Sequence, residues 1–363
     1  MVRAIGVDPG TVSFDICGLQ NGEVFLDVTL PSSEVSAQPQ LLLDLLTSSG
    51  PVDMVIAPSG YGLPWVSVQE VGPEELFEYT LAIRGRGGPS PLSGMSEIAR
   101  RLKHTESPAY FMPAVIHLPT VPVHRKVNKI DMGTADKLCC AVLGVYDQAH
   151  HFGIAYDETS FILVEVGGAF TAVMAVEGGK VVDGIGGTNA RLGYRSLGAM
   201  DGELAYLLGA FSKDLLFSGG AVYVAGEPDL SPEDFAQLSD TDERIRTAWA
   251  ALLEGIVKDV AAEMAILSPP REILLSGRLC GVDRFGQQLT RRLARFAPPR
   301  RMCGFAQVCK EAAQGAALIA DGLAGGPMEQ LIEVMELRQA SGSVLDYLYV
   351  SDAQTLRQQL SSG

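Results

Sequence analysis

The sequence predicts an α/β protein built from two related domains, and three observations carry that expectation. An apolar strand, Ala4-Ile5-Gly6-Val7, ends in Asp8-Pro9-Gly10-Thr11 and returns through Ser13–Leu19. The plan recurs about half a chain later, where Phe161–Val166, carrying Glu165, turns at Gly167-Gly168 and returns from Thr171. Each hairpin is then followed by a short turn and a third strand, so strand-turn-strand-turn-strand occurs twice.

Taken in order, the first three strands are Arg3–Asp8, Ser13–Leu19 and Glu23–Leu30, with Gln20-Asn21-Gly22 as the turn before the third. A helix is expected at Gln40–Thr47, then a buried strand at Met54–Ala57. Glu74–Ile83 and Met95–His104 read as helices, and the proline-broken, apolar Pro108–Val123 as a loop or edge element. Asp131–Ala149 has a helical apolar face made by Leu138, Ala141, Val142, Val145 and Ala149. The second block begins near Ala155, with strands Phe161–Val166, Thr171–Glu177 and Lys180–Asp183. Helix Ser239–Leu267, strand Glu272–Ser276, helix Val282–Arg295 and a small-residue helix Glu311–Gly322 follow, then helix and tail from Met328. The division expected is residues 1–153 and residues 154–363, close-set around a cleft, because no flexible linker separates them.

Composition narrows the function. A chain of 363 residues with 47% hydrophobic and 20% charged residues has ample material for two buried cores. A net charge of −15 argues against nucleic acid or an anionic membrane as the main partner. Six scattered cysteines have no paired metal spacing and read as reduced thiols. Asp8 interrupts the apolar N-terminal stretch, so no signal peptide is expected, and no apolar run reaches membrane-span length. A cytoplasmic protein is expected, with a homodimer as the default assembly.

The chemistry is concentrated in the hairpins. Glycine turns expose backbone N–H groups that can cradle phosphate, and a strand-end carboxylate can hold hydrated Mg²⁺. Either hairpin alone is also an ordinary β-turn. Two facing each other would clamp a nucleoside triphosphate.

Paired glycine hairpins in twin α/β domains resemble the superfamily of acetate and sugar kinases, Hsp70 and actin. Several segments are more specifically similar to acetate and butyrate kinases, above all the predicted butyrate kinase group. They are Arg84-Gly85-Arg86-Gly87-Gly88-Pro89, the Glu165–Gly168 hairpin leading to Lys180–Asp183, Arg195-Ser196-Leu197-Gly198, Glu272–Gly277 and Glu311–Ala317. The resemblance runs in order from residue 4 to about residue 322. It implies two ribonuclease H-like (actin-like ATPase) domains, with the acceptor on the side of residues 1–153 and the nucleotide on the side of residues 154–363. It implies ATP and Mg²⁺, and phosphoryl transfer to a small carboxylic acid to form an acyl phosphate. Gly10, Thr11, Gly167 and Gly168 would meet the phosphates, Gly277 and Arg278 the nucleoside, and Asp8, Glu165 and Glu311 the metal. Arg86 and Arg195 would flank the transferring group, where guanidinium neutralises spreading charge.

Read without the resemblance, Arg195 is a surface arginine, Glu311 a helix N-terminal carboxylate and Gly277 a strand end. Asp131 and Asp136 either touch the acceptor or start and solvate a helix, with the second favoured. His117 and His124 are weak candidates near the acceptor. Tyr61, Leu63, Trp65, Tyr110, Phe111 and Met112 could line an acyl pocket or fill the core. Two positions depart from the acyl-kinase pattern: Glu165 replaces a histidine, and Gly277-Arg278-Leu279 replaces a turn with two glycines. Glu165 opens the alternatives of a kinase acting on a hydroxyl or an ATPase, with Glu165 as base or metal ligand. A nucleotide-binding switch without turnover is the third possibility.

Overall fold

The computed structural model describes residues 1–10, 12–56, 60–81, 102, 103 and 108–351. Arg3–Pro9 (β1), Ser13–Gln20 (β2) and Glu23–Pro31 (β3) form an antiparallel meander, as their turn signals require. Asn21 and Gly22 close its second turn with positive φ, the backbone geometry for which Asn-Gly is suited. The meander is extended on the far side of β1 by Met54–Ile56 (β4), Ala109–Phe111 (β6) and Val66–Ser67 (β5), giving the order β3-β2-β1-β4-β6-β5. β4 and β6 are parallel additions, and β5 is antiparallel to β6.

The second sheet repeats that plan. Ser160–Val166 (β7), Thr171–Glu177 (β8) and Lys180–Ile185 (β9) form the meander, and Glu272–Ser276 (β10) and Pro299–Arg301 (β11) add in parallel beside β7. Its order, β11-β10-β7-β8-β9, is the first sheet's arrangement around β1 drawn again.

Six described helices have eight or more residues: Gln40–Ser48 (α1), Pro73–Thr80 (α2), Ala135–Phe152 (α3), Glu243–Met264 (α4), Asp283–Leu293 (α5) and Glu311–Leu323 (α6). The Asp242 side chain starts α4 by accepting from the amides of Arg244 and Ile245. Ile245, Ala248, Trp249, Leu252, Ile256 and Val260 then recur at helical spacing and bury against the second sheet and its neighbours. Full burial of each large apolar side chain there contributes roughly 1.5–3 kcal/mol.

Two helices lie between the sheets, and small residues decide how closely. α6 packs on β1, β2 and β4, while α3 packs on α6 and on β7 and β8. A Cβ at Gly6 would fall 2.2 Å from Ala317 N, and one at Gly315 would fall 1.9 Å from Cys139 O. These glycines let strand and helices approach to backbone contact. A helix from late in the chain thus lies on the first sheet, and its N-terminus opens between the two hairpins.

Most expected elements are found within a few residues of their expected bounds. The segment Pro108–Val123 differs, since β6 is an interior strand with Ala109 and Phe111 buried. Pro108 and Pro113 flank it without interrupting its ladder, which is where a strand tolerates proline. The helix expected at Met95–His104 lies outside the described residues apart from Leu102 and Lys103. Among the described residues no helix is long and apolar enough to cross a membrane.

Candidate active site

The two hairpin turns meet across one cleft of about 570 Å³. Asp8 and Gly10 come to it from the first hairpin, and Glu165, Gly167 and Gly168 from the second. Gly277 and Arg278, after β10, line the cleft as well, as does Glu311 at the start of α6. With Asp136, nine of the residues singled out in the sequence therefore share a single lining. The amides of Gly10 and Gly167 close their own turns, Gly10 N donating to Ser13 O at 2.8 Å and Gly167 N to Phe170 O at 2.9 Å. In this form the turns are preset by their own backbone.

Gly277 occupies the left-handed region at φ +87°, and a Cβ there would lie 2.5 Å from Val166 O and 2.8 Å from Glu165 Oε1. Its role as the residue allowing close approach is thus set first by the second hairpin itself. Arg301 holds this wall: Nη1 donates to Gly277 O at 3.0 Å and Nη2 to Glu311 Oε1 at 3.1 Å.

The electrostatic centre is a lysine. Lys137, in the first turn of α3, has its ammonium 2.8 Å from Asp136 Oδ2 and 2.8 Å from Glu165 Oε2. Desolvation alone would lower its pKa, but Asp136 and Glu165 hold it well above the ordinary lysine value. Burial raises the Glu165 carboxyl against the opposing pull of Lys137. Asp136 is held low: burial pushes it up, but Lys137 and the Thr134 hydroxyl, 2.5 Å away, outweigh that. Asp8 is pushed up to about 7, first by burial and then by the nearby Asp136 charge.

A second cation stands over the first hairpin. Lys310 Nζ lies 3.2 Å from Asp15 Oδ2 and donates to Ser13 Oγ. The buried Asp15 also accepts from Ser13 Oγ at 2.7 Å and Thr29 Oγ1 at 2.6 Å.

The donor set suits a metal that arrives with its own phosphate ligands. Among the described residues no three His, Cys, Asp or Glu groups gather to hold an ion alone. Mg²⁺ usually keeps several waters and binds through one or two carboxylates plus substrate phosphate. Glu165 is paired with Lys137 and Glu311 with Arg301, which leaves Asp8, short of counter-charge, as the carboxylate best fitted to it.

Beyond Asp136 and Lys137 a smaller chamber of about 150 Å³ adjoins the cleft. Pro9 and Phe170 line both spaces, and Tyr61, Thr134, Thr188 and Phe217 belong to the chamber.

Other expected residues fall elsewhere. Arg195 is not part of the cleft lining; its Nη1 donates to Pro228 O at 3.0 Å, while its backbone N supports the second hairpin by donating to Ala169 O at 3.1 Å. Thr11 and Arg86 lie outside the described residues. His117 is buried with Nδ1 accepting from Ala114 N, and His124 is exposed; neither lines the cleft or the chamber. Asp131 is not a solvated helix start: it is buried, with Gly133 N donating to Oδ1 and Thr188 N and Oγ1 donating to Oδ2. Tyr61 lines the chamber, whereas Leu63, Phe111 and Met112 are core and Trp65 Nε1 donates to Leu337 O at 2.6 Å. Sequence reading missed Lys137, Lys310 and Arg301, whose one available signal was adjacency to Asp136, to Glu311 and to the end of a parallel strand.

The model of a family described as "Protein of unknown function (DUF1464)" matches residues 6–350. A search of curated proteins finds no significant match. Solved structures share the fold at low identity. A propionate kinase from Francisella tularensis subsp. tularensis SCHU S4 is 13% identical with a TM-score of 0.63, over 87% of this chain and 98% of that one. An acetate kinase from Porphyromonas gingivalis is 16% identical with a TM-score of 0.57, over 82% and 88%. A ROK hexokinase from Thermus thermophilus is 16% identical with a TM-score of 0.50, over 88% and 98%. The architecture is therefore the two-domain α/β fold that these acetate, propionate and ROK sugar kinases share, as the sequence predicts. Both carboxylate and sugar kinases stand among these neighbours, and butyrate kinases are not singled out.

Proposed function

We propose that this chain, which belongs to the family described as protein of unknown function (DUF1464), is an ATP-dependent phosphotransferase working at the cleft between its hairpins. The observation that carries the reading is the convergence of both glycine hairpins, the Gly277 turn and the N-terminus of α6 on one lining. Residues 1–153 would supply the acceptor side and residues 154–363 the nucleotide side. Mg²⁺ bound beside Asp8 would neutralise phosphate charge.

Phosphoryl transfer requires positioning and charge neutralisation more than covalent help from the protein. Lys310 is poised to meet phosphate oxygens at the first hairpin. Lys137 keeps Asp136 ionised and fixed at the wall shared by cleft and chamber. An acceptor hydroxyl there attacks the γ-phosphorus, its O–P bond forming as the β,γ-bridging O–P bond breaks, with ADP leaving. The hydroxyl proton passes to Asp136. A low carboxylate pKa suffices, because in a loose transition state the proton moves late.

A hydroxyl acceptor departs from the carboxylate acceptor implied by the resemblance. The carboxylate reading rests on Arg86 and Arg195, and the Arg195 guanidinium is engaged by Pro228 O. Asp136 supports the hydroxyl reading, since a carboxylate acceptor has no proton to lose near neutral pH. The test is titration with Mg-ATP by calorimetry, then ADP formation with alcohols and acids in the presence of hydroxylamine. Bound ATP and acceptor-dependent ADP are expected; no ATP binding would overturn the reading.

A further inference from the structure

We infer that the chamber beyond Asp136 and Lys137 holds the phosphoryl acceptor, and that this acceptor is an uncharged polyol of about six non-hydrogen atoms. The inference rests on the phosphotransferase reading and adds the substrate class.

Size comes first. The chamber measures about 150 Å³. An engineered apolar cavity of about that volume accepts benzene. The chamber opens toward the cleft, and a guest of about that size fills it, whereas the neighbouring cleft of about 570 Å³ suits a nucleotide. In the chamber wall the Phe170 and Phe217 rings meet edge to face with centroids 5.2 Å apart.

Charge among the described residues weighs against the small acids. Asp131 and Asp136 both line the chamber, and its lining cation among the described residues is Lys137, already paired with Asp136 and Glu165. Lys213 stands 4.4 Å from the Tyr61 ring centroid and partly offsets Asp131, but donates to Thr80 O and is not part of the lining. A carboxylate guest would sit beside Asp131 and Asp136 with no described cation left uncommitted in the lining, and like charges at close range repel.

Hydrogen bonding selects more than one hydroxyl. Asp131 Oδ1 accepts from Gly133 N at 3.1 Å, leaving acceptor capacity for a guest O–H. Thr134 Oγ1 spends its proton on Asp136 and can still accept. One guest hydroxyl can therefore face Asp136 while a second is held near Asp131, an arrangement a simple alcohol cannot fill.

The experiment measures ADP formation with Mg-ATP and a graded series of ethylene glycol, glycerol, erythritol and glucose, beside acetate, propionate and butyrate with hydroxylamine. Products are read by ³¹P NMR, in the parent and in Phe217→Trp and Phe217→Ala. Turnover is expected to peak among the small polyols, giving a phosphomonoester and no hydroxamate. F217W should raise the acceptor KM by about tenfold or more with ATP Kd within about twofold, and F217A should shift preference toward the larger polyols. Hydroxamate from an acid, glucose used as well as the small polyols, or an acceptor KM unmoved by either variant would overturn the inference. ATP bound without turnover of any small polyol would also overturn it while leaving the nucleotide reading intact. Failure to bind ATP would instead remove the phosphotransferase reading beneath it.

Discussion

Lys137 Nζ stands 2.8 Å from Asp136 Oδ2 and 2.8 Å from Glu165 Oε2, joining the first turn of a helix to the strand end of the second hairpin. One ammonium thus serves two carboxylates in a largely buried space. Removing it strands both.

Lys137→Met should destabilise the protein by about 3–5 kcal/mol, the usual cost of breaking a buried pair from one side. Adding Glu165→Gln should recover part of that loss, because the carboxylate left behind is then neutral. Urea denaturation of both variants measures this, and additive losses would mean the pair is not coupled.

Lys310→Met should weaken ATP binding by about tenfold or more, since a phosphate-facing charge-assisted contact is worth about 1.5–3 kcal/mol. Adenosine binding should be unchanged, as the lysine's ammonium is held at the first hairpin by Ser13 and Asp15. Calorimetric titration with the two ligands checks this, and equal losses would assign Lys310 to structure.

Arg195→Ala should leave turnover nearly unaltered and cost about 1 kcal/mol of stability, because among the described residues its guanidinium makes one hydrogen bond, to a carbonyl. A large fall in kcat with stability intact would restore it to the transferring phosphoryl group.

Glu263 supplies a pH prediction away from the cleft. Burial, then the neighbouring Asp183 charge, pushes its carboxyl from 4.5 up to about 9. A raised acid favours the folded state fully below pH 4.5 and loses that contribution as pH rises through about 9. Stability should therefore decline across neutral pH, and Glu263→Gln should flatten the decline and add on the order of 2 kcal/mol near pH 7. Thermal melts from pH 5 to pH 9 measure both.

The fold was legible because its two meanders are local patterns: a strand, a glycine turn and a return strand can be read from neighbours in sequence. Asp8, Gly10, Glu165, Gly167 and Gly168 came with those turns, and Gly277 and Glu311 with the resemblance. Lys137 was not legible, because its function comes from α3 lying beside β7, a contact between residues distant in sequence. Read locally, Asp136-Lys137 is a charged helix start. For Arg195 the sequence showed its place in the chain but not the direction of its side chain, which donates to Pro228 O. The burial of Asp131 likewise depended on Thr188, which only the folded chain brings to it.

The contact of Gly315 with the carbonyl of Cys139 sits under all of this. It sets the gap between α3 and α6, and α3 carries Lys137 while α6 carries Glu311. The jaw width of the clamp is thereby gauged by a hydrogen atom where any other residue has a carbon. A single added methyl would move both grips apart at once, detuning every contact in the cleft without touching one of them.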